Sequence, residues 1–488
     1  MAKAKKTPNH PVHLSETVTG ERYPDVYELY TPGRLASVEQ REDHVLLRAE
    51  NGVCLRIEAL SEHLLRFRYA PEGWFEPDFS YALSPGAAYE MPEINQSEDD
   101  THLTLRTAAL ICQISKADLR VSLYDNPGNT LLCEDAAPYT CRRSILSGIE
   151  EVRIAKRAPA KEAYYGLGDK SGALNLRGQQ LENWNTDSFG YGKSTDPLYR
   201  AIPFYFGLQS GKGYGVFLHN SHRTHFDFAK TSPNTLAFWA DGGEMDYFFI
   251  AGPGLTEVAQ RYAWLTGKPE MPPRWALGFH QCRWSYYPEK RVYELAKTFR
   301  ELQIPCDAIY LDIDYMDGYR CFTWNETHFP NPSKLINDLR KQGFQTVVMI
   351  DPGIRVDPDY AVYQDGVAQD VFCRRVSGEL MRGPVWPPDC VFPDFTRPEV
   401  RQWWGPLYQQ LYNEQGVSGF WNDMNEPAVF KLDIATFPDH IRHDFDGHPT
   451  DHRKAHNVYG QQMSRATFEG LKALQPQKRP FVLTRATF

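Results

Sequence analysis

The chain lacks long apolar runs and paired cysteines. No stretch of about 18 apolar residues occurs, so we expect no membrane-spanning helix. The first basic residues are not followed by an apolar segment before Pro8, so a secretory signal is not expected. The nine cysteines include no Cys-x-x-Cys pair. We therefore expect reduced thiols and a cytoplasmic protein, with neither a disulfide framework nor a zinc site.

Acidic residues outnumber basic residues. The net charge of −9 argues against nucleic acid as a partner. The exception is the basic segment MAKAKK, which we expect to belong to a disordered tail over residues 1–20. No phosphate-binding glycine loop, dinucleotide fingerprint or nucleophilic serine elbow occurs, and we expect no cofactor. Aromatic residues are abundant, at 13%. This excess fits either large cores or surfaces that stack on sugars.

Residues 21–265 are predicted to form an antiparallel β-sandwich domain. Short alternating runs are broken by turn residues throughout this part, and helical periodicity is rare. Asn51 and Gly52 stand between two strand-like runs, which is a strong hairpin signal. Many short strands with regular turns are typical of a sandwich.

Residues 266–488 are predicted to form part of a catalytic (β/α)₈ TIM barrel. Pro269, Pro272 and Pro273 mark the boundary. Strands then alternate with helices, beginning with a strand predicted at 275–283, and loop insertions are expected near 355–398 and 428–455. Four and a half βα units cannot close an eight-stranded barrel. We therefore expect the sequence to be an N-terminal portion of a longer protein, with about the first half of the barrel.

The segment GFWNDMNEP, residues 419–427, is the most informative motif. An apolar run leads to Asp423 and Glu426, with Trp421 beside them and Pro427 ending the segment. In a barrel the C-terminal ends of strands hold the chemistry. A carboxylate beside aromatic surface suits sugar chemistry, because sugar rings pack on aromatic faces and the carboxylate attacks or stabilises the anomeric carbon. The alternative is a strand end with a helix-capping Asp or Asn.

Two further segments contain candidate carboxylates. Asp312 and Asp314 lie two apart on one predicted strand and so share a face. They could be a catalytic pair, a metal pair or acceptors for hydroxyl groups. No histidine stands at ligand spacing and Mg²⁺ or Ca²⁺ needs more oxygen ligands, so we expect no metal. Asp187 lies in a Gly-rich loop, where an Asx-turn is the alternative interpretation.

Together these motifs resemble glycoside hydrolase family 31, of the α-glucosidase type, from about residue 164 to 488. GFWNDMNEP resembles the family's nucleophile motif, YYGLGDKSG (164–172) its sandwich signature, and WNTDSFGYG (184–192) the loop that reaches into its active site. The resemblance implies Asp423 as nucleophile and Glu426 as a residue that orients or tunes it. Asp187 and Asp312 would hold sugar hydroxyls. The implied lining of the sugar site is Trp284, Ile313, Ile354, Trp386, Trp421, Met424 and Phe430. The family has a tyrosine or similar aromatic where this chain has Trp284.

The resemblance implies a retaining, exo-acting α-glucosidase that removes terminal α-linked glucose from malto-oligosaccharides through a glycosyl-enzyme intermediate. The open alternatives are an α-transglucosylase with a sugar acceptor and a non-catalytic sugar-binding protein. An α-xylosidase is disfavoured, because that branch resembles KTDFGE where this chain has WNDMNEP. The family's acid/base residue follows the fifth strand in a WxGDN-type motif that this sequence lacks. We therefore expect residues 1–488 alone to be inactive on α-glucosides. The oligomeric state is not predicted.

Overall fold

The computed structural model describes residues 27–209, 211–430 and 435–488. The predicted tail over residues 1–20 lies outside these ranges. No helix in the described ranges is both long and apolar enough to cross a membrane.

The first part of the chain is antiparallel sheet. Its strands are β1 (Tyr27–Tyr30), β2 (Leu35–Gln40), β3 (Val45–Ala49), β4 (Cys54–Ser61), β5 (Leu64–Ala70), β6 (Asn95–Glu98), β7 (His102–Arg106), β8 (Leu110–Ser115), β9 (Val121–Asp125), β10 (Leu131–Ser144), β11 (Gly148–Arg157), β12 (Ala163–Gly168), β13 (Gln180–Asn183), β14 (Ala201–Gln209), β15 (Lys212–Leu218), β16 (Thr224–Phe228), β17 (Thr235–Ala240) and β18 (Met245–Gly252). Helix α1 (Leu255–Thr266) follows and packs on β15 and β18.

These strands form two sheets with one apolar core between them. The first sheet has the order β13-β16-β17-β11-β10-β9-β8-β7-β6, with β1 paired to β10. The second has the order β12-β14-β15-β18-β5-β4-β3-β2. Residues of both sheets, such as Phe67, Tyr247 and Phe226, meet in the core. The predicted hairpin is confirmed: β3 and β4 pair antiparallel, and Gly52 takes the positive φ that such a turn requires.

The second part of the chain alternates strands and helices. Its elements are β19 (His280–Gln281), α2 (Glu289–Glu301), β20 (Ala308–Leu311), α3 (Pro332–Lys341), β21 (Gln345–Ile350), β22 (Ile354–Arg355), α4 (Ala361–Ala368), β23 (Arg382–Gly383), β24 (Cys390–Val391), α5 (Pro398–Trp404), β25 (Gly419–Asn422), β26 (Arg442–His443), β27 (Thr450–Asp451), α6 (His452–Leu474) and β28 (Val482–Thr484). Strands β19, β20, β21, β25 and β28 form a parallel sheet in that order. This is the arrangement of half a (β/α)₈ barrel, so the predicted fold class is confirmed.

Helix α3 shows why the alternating pattern was readable. Asn331 accepts a hydrogen bond from the backbone N–H of Lys334, and Pro332 occupies the first turn, where its missing N–H costs nothing. Gly343 follows the helix with a positive φ. Leu335 and Leu339 share one buried face. Local signals and packing therefore agree in this element.

Three parts of the barrel region differ from the sequence prediction. The strand predicted at 275–283 is wrong over its first half, where a 3₁₀ helix (Arg274–Leu277) follows directly on two prolines. The predicted loop insertion at 355–398 contains α4 and a three-stranded sheet of order β22-β24-β23. The pattern of residues 397–416 predicts one helix, but α5 ends at Trp404 and the chain continues as a 3₁₀ helix (Gly405–Tyr408), with Gly405 so close to the backbone of Gly470 that a Cβ would clash.

Candidate active site

Polar side chains follow four of the five parallel strands. Asp312 follows β20, Asp351 follows β21, Asp423 follows β25 and Arg485 follows β28. The C-terminal ends of parallel strands meet at one edge of a sheet, which in barrel enzymes is the catalytic edge. The topology therefore collects three carboxyl groups and one guanidinium at the same place.

Arg485 joins the carboxylates of this edge. Its Nε and Nη2 donate to the two carboxylate oxygens of Glu426, each at 2.7 Å. Nε also lies 3.1 Å from Oδ1 of Asp423, as an ion pair. Nη1 lies 3.6 Å from Oδ1 of Asp187, which belongs to the loop after β13. The Tyr199 ring lies 5.0 Å from the guanidinium carbon. The sandwich loops and the barrel therefore build one site.

Asp423 is held in a buried and acidic environment. Its exposed fraction is 6%. Burial raises the pKa of Asp423 to about 7, with Arg485 opposing the shift and Glu426 adding to it. Burial also lowers the pKa of Arg485, but Glu426 and Asp423 outweigh it, and the pKa of Arg485 is raised. The Arg485 guanidinium is shared among several carboxylates and therefore stays charged. Asp423 keeps its proton to a higher pH than an exposed aspartate does.

The two neighbouring aspartates are similarly perturbed. Burial raises the pKa of Asp312 to about 6, opposed by the backbone N–H of Ile313 and aided by Asp314. Asp351 is 3% exposed, and its Oδ1 has no hydrogen-bond partner within the described part of the chain. Burial, with the charge of Asp423, raises the pKa of Asp351 well above its usual range. An edge with this excess of acceptors favours a ligand that donates several hydroxyl hydrogen bonds.

An aromatic strip lies beside the carboxylates. Trp284 is 63% exposed, and its Nε1 donates to Oδ2 of Asp314 at 3.2 Å. The Trp386 ring lies 5.6 Å from Trp284 and 5.1 Å from Phe430. Nε1 of Trp386 is buried and has no hydrogen-bond partner among the residues that the structure describes. Exposed aromatic faces next to hydroxyl acceptors are the surface that a sugar ring needs.

The remaining predicted lining residues lie deeper. Trp421 and Arg485 line an open cavity of about 620 Å³ on the inner face of the parallel sheet. Ile313, Ile354 and Met424 belong to the barrel core and are at most 1% exposed. They leave almost no free surface, so their direct contact with a ligand stays a prediction.

The structure thus brings Asp187, Asp423 and Glu426 together around a residue that the sequence analysis missed, Arg485. It also adds Asp351. Both residues stand directly after a strand: Arg485 ends the segment VLTR (482–485), and Asp351 follows Ile350. Asking which polar residue follows each predicted strand would have found them.

One group of described residues has metal-ligand types. Atoms of Cys373, Asp394 and His443 lie within 4.8 Å of one another. Oδ1 of Asp394 already bonds to His443 and to the Thr396 hydroxyl. Burial raises the pKa of the Cys373 thiol well above its usual range, which favours the protonated thiol, a poor ligand. We assign no metal to this group.

Comparison with known proteins gives consistent matches. The model of the glycosyl hydrolases family 31 TIM-barrel domain matches residues 269–488. The model of the glycosyl hydrolase 31 N-terminal galactose mutarotase-like domain matches residues 54–227. "Alpha-glucosidase 2" of Bacillus thermoamyloliquefaciens is 39% identical over 93% of this chain and 57% of its own length. "Alpha-glucosidase" of Saccharolobus solfataricus is 34% identical over 69% of this chain and 51% of its own length.

Among solved structures, a Flavobacterium johnsoniae GH31 dextranase complexed with isomaltotriose superposes with a TM-score of 0.84. It is 32% identical, and the match covers 94% of this chain and 55% of that one. The chain thus spans about half the length of the curated relatives it matches.

Proposed function

Because this chain belongs to glycosyl hydrolase family 31, we propose that its activity is that of a retaining, exo-acting α-glucosidase that removes terminal α-linked glucose from malto-oligosaccharides. The observation that carries the proposal is the placement of Asp423 at a strand end, beside Arg485 and within reach of the sandwich loop that carries Asp187. Oligosaccharide is the proposed partner. A cytoplasmic location stays a prediction.

In the proposed mechanism Asp423 attacks the anomeric carbon. A bond forms from its carboxylate oxygen as the glycosidic C–O bond breaks, and the developing positive charge on the sugar is stabilised by the surrounding carboxylates. Glu426 acts through Arg485: it fixes the guanidinium with two hydrogen bonds, and the guanidinium in turn faces Asp423 and Asp187. Glu426 is therefore a positioning residue in this proposal.

A retaining enzyme also needs a general acid about 5–5.5 Å from the nucleophile, across the glycosidic bond. The carboxyls described near Asp423 lie beside it on neighbouring strands or bind Arg485. We assign none of them to this role. Activity tests of the site should therefore include α-glucosyl fluoride, whose fluoride leaves without needing a proton from such an acid.

A second candidate is hydrolysis of α-1,6 links. The dextranase complexed with isomaltotriose is similar over nearly the whole chain, which favours isomalto-oligosaccharides as the competing substrate class. An α-transglucosylase would use the same residues toward a sugar acceptor. Product analysis by NMR, with maltose and isomaltose compared at equal concentration, tests all three: faster release of glucose from isomaltose would replace the first proposal with the second, and new disaccharides would favour transfer.

In the protein as the cell makes it, we expect Asp312→Ala and Asp187→Ala each to lower kcat/KM on an α-glucoside about 100-fold. Hydroxyl contacts to these carboxylates strengthen in the transition state, and charged hydrogen bonds contribute roughly 1.5–3 kcal/mol. Asp338→Ala, which removes the half-buried partner of Lys334 in an α3 ion pair, is the matched control and should leave kcat/KM unchanged. A large drop in melting temperature with unchanged kcat/KM would make Asp312 and Asp187 structural residues.

We expect the rate of glycosylation by α-glucosyl fluoride to fall as pH drops through about 7, because Asp423 must be ionised to attack and its pKa is raised to about 7. Glu426→Gln removes a charge that raises this pKa and frees Arg485 for Asp423, so the midpoint should move to lower pH. A midpoint near pH 4 in the unsubstituted protein would contradict this account of the site.

A further inference from the structure

Three buried histidines form a continuous hydrogen-bonded row that the proposed mechanism does not use. His443 lies in β26, and His452 and His456 are one turn apart in α6. Nε2 of His443 lies 3.0 Å from Nδ1 of His452. Nε2 of His452 lies 2.9 Å from Nδ1 of His456. All three side chains are buried. We refer to them as the histidine row.

Both ends of the row meet an acceptor. At one end, Oδ1 of Asp394 lies 3.0 Å from Nδ1 of His443. Burial raises the pKa of Asp394, but His443 and the bonds from Thr396 and Asp444 outweigh it, so this carboxyl stays ionised. At the other end, the backbone carbonyl oxygen of Asn185 lies 2.8 Å from Nε2 of His456. A carboxylate and a carbonyl can only accept, so each end requires a ring N–H.

The proton count follows from these contacts. The row makes four contacts from Asp394 to Asn185, and each needs one N–H proton. Three neutral imidazoles supply three. The row therefore holds one proton more than three neutral rings, and together with the Asp394 carboxylate the buried set has no net charge. A neutral, fully bonded set avoids the cost of burying an isolated charge.

We propose that this excess proton is a built-in part of the fold, and that the row uses it to hold the substrate loop around Asp187 against helix α6. His443, His452 and His456 are then positioning residues. The link to substrate rests on the proposed function, whereas the proton count does not.

The surroundings place the proton on His443. Burial lowers the pKa of His456 to about 3 and lowers that of His452 well below its usual range, so these two rings are neutral. The Trp184 ring stacks on the His456 ring, with the ring centroids 3.6 Å apart. The Arg223 guanidinium lies over the same Trp184 ring, and its positive charge disfavours a second positive charge on His456. Next to Asp394, the Cys373 thiol stays protonated. His443, in contact with the carboxylate, is the ring left to carry the charge.

The histidine row ends at Asn185, where the loop that contains Asp187 is hydrogen-bonded to helix α6. The backbone N–H of Asn185 donates to Oδ1 of Asn457, and its Nδ2 donates to the carbonyl of Asn457, each at 2.9 Å. The Thr436 hydroxyl donates its proton to the carbonyl of Pro427, so its oxygen, 3.3 Å from the accepting Nδ1 of His456, shares no proton with that ring and adds nothing to the count. Asp187 is two residues beyond Asn185 and faces Arg485. Loss of the row's last contact would therefore loosen the loop at its base.

The count is tested by NMR of ¹⁵N-histidine-labelled protein near pH 7, with signals assigned by single histidine replacements. We expect both ring nitrogens of His443 to be protonated, and His452 and His456 to be neutral with the proton on Nε2. Three neutral rings, or a charged His456, would overturn the proposal. This measurement needs no activity, so it stands even if the proposed substrate is wrong.

The substitution Asp394→Asn tests the proton count more sharply. An asparagine amide can donate to Nδ1 of His443, so all four contacts survive with only three ring protons. We expect His443 to become neutral, with the proton on Nε2, while kcat/KM stays within about threefold. A His443 signal that is the same in both proteins would contradict the proton count.

The proposed positioning role is tested by substitutions of His456. We expect His456→Leu to raise the KM for α-glucosyl fluoride about tenfold, with kcat changed less, because the contacts of the Asp187 loop to the substrate weaken. His456→Gln, whose amide can still donate to the Asn185 carbonyl, should recover most of the loss. Equal KM values in the unsubstituted protein and in His456→Leu would overturn the positioning role. If His456→Leu fails to fold, the NMR comparison with Asp394→Asn still decides the proton count.

Discussion

Asp423→Asn is expected to lower the rate of glycosylation by α-glucosyl fluoride by about 10⁴-fold or more. An amide cannot form the glycosyl ester, so covalent catalysis is abolished and not merely weakened. Because fluoride leaves without a proton, the loss reports on the nucleophile alone. The measurement is fluoride release, followed in the protein as the cell makes it.

Two controls make this result specific. Asp359→Asn, an exposed aspartate before α4, should leave the rate unchanged. The melting temperature of Asp423→Asn should not fall, because burial disfavours the charged form of Asp423 in the folded protein. Turnover close to that of the unsubstituted protein would remove Asp423 from the nucleophile's role.

Arg485→Met is expected to reduce both activity and stability. The substitution leaves the carboxylates of Glu426 and Asp423 buried without their cation, and breaking a buried pair in this way costs about 3–5 kcal/mol of unfolding free energy. We also expect kcat/KM to fall about 10³-fold, since the pKa of Asp423 rises further and Asp187 loses its partner. Chemical denaturation and steady-state kinetics measure the two effects.

The double variant Arg485→Met with Glu426→Gln separates charge from packing. Removing the orphaned carboxylate should recover part of the lost unfolding free energy, while activity stays low because Asp423 remains unpaired. Arg453→Met is the matched control: Arg453 pairs with Asp451 at the surface, where such pairs contribute about 0–1 kcal/mol. If Arg485→Met is no less stable than Arg453→Met, the arginine is not the centre of the site.

The sequence predicted most of the fold because its local signals agree with the packing. The Asn-Gly turn, the capped helix α3 and the alternation after Pro273 all act through neighbours in the chain. The sequence patterns did not predict the 3₁₀ turn at Arg274–Leu277, nor the small sheet formed by the strands β22, β24 and β23. The strands of this small sheet are only two residues long, so no hydrophobic period marks them.

The site was only partly readable for a similar reason. Asp423 and Asp312 stand in long motifs at strand ends. Arg485, in contrast, gains its role from Glu426, 59 residues earlier, and from Asp187 on the sandwich. The histidine row connects residues from four separate segments. Contacts over such distances leave no spacing pattern in a single sequence.

The most direct test of the central claim is trapping of the glycosyl-enzyme with 5-fluoro-α-glucosyl fluoride, followed by peptide mass spectrometry. The fluorine at C5 slows hydrolysis of the intermediate, so the sugar stays on the residue that attacked. We expect the label on the peptide that contains Asp423, and its disappearance in Asp423→Asn. A label on Asp312, Asp351 or another carboxylate would contradict the assignment, as would turnover of the reagent without any covalent adduct.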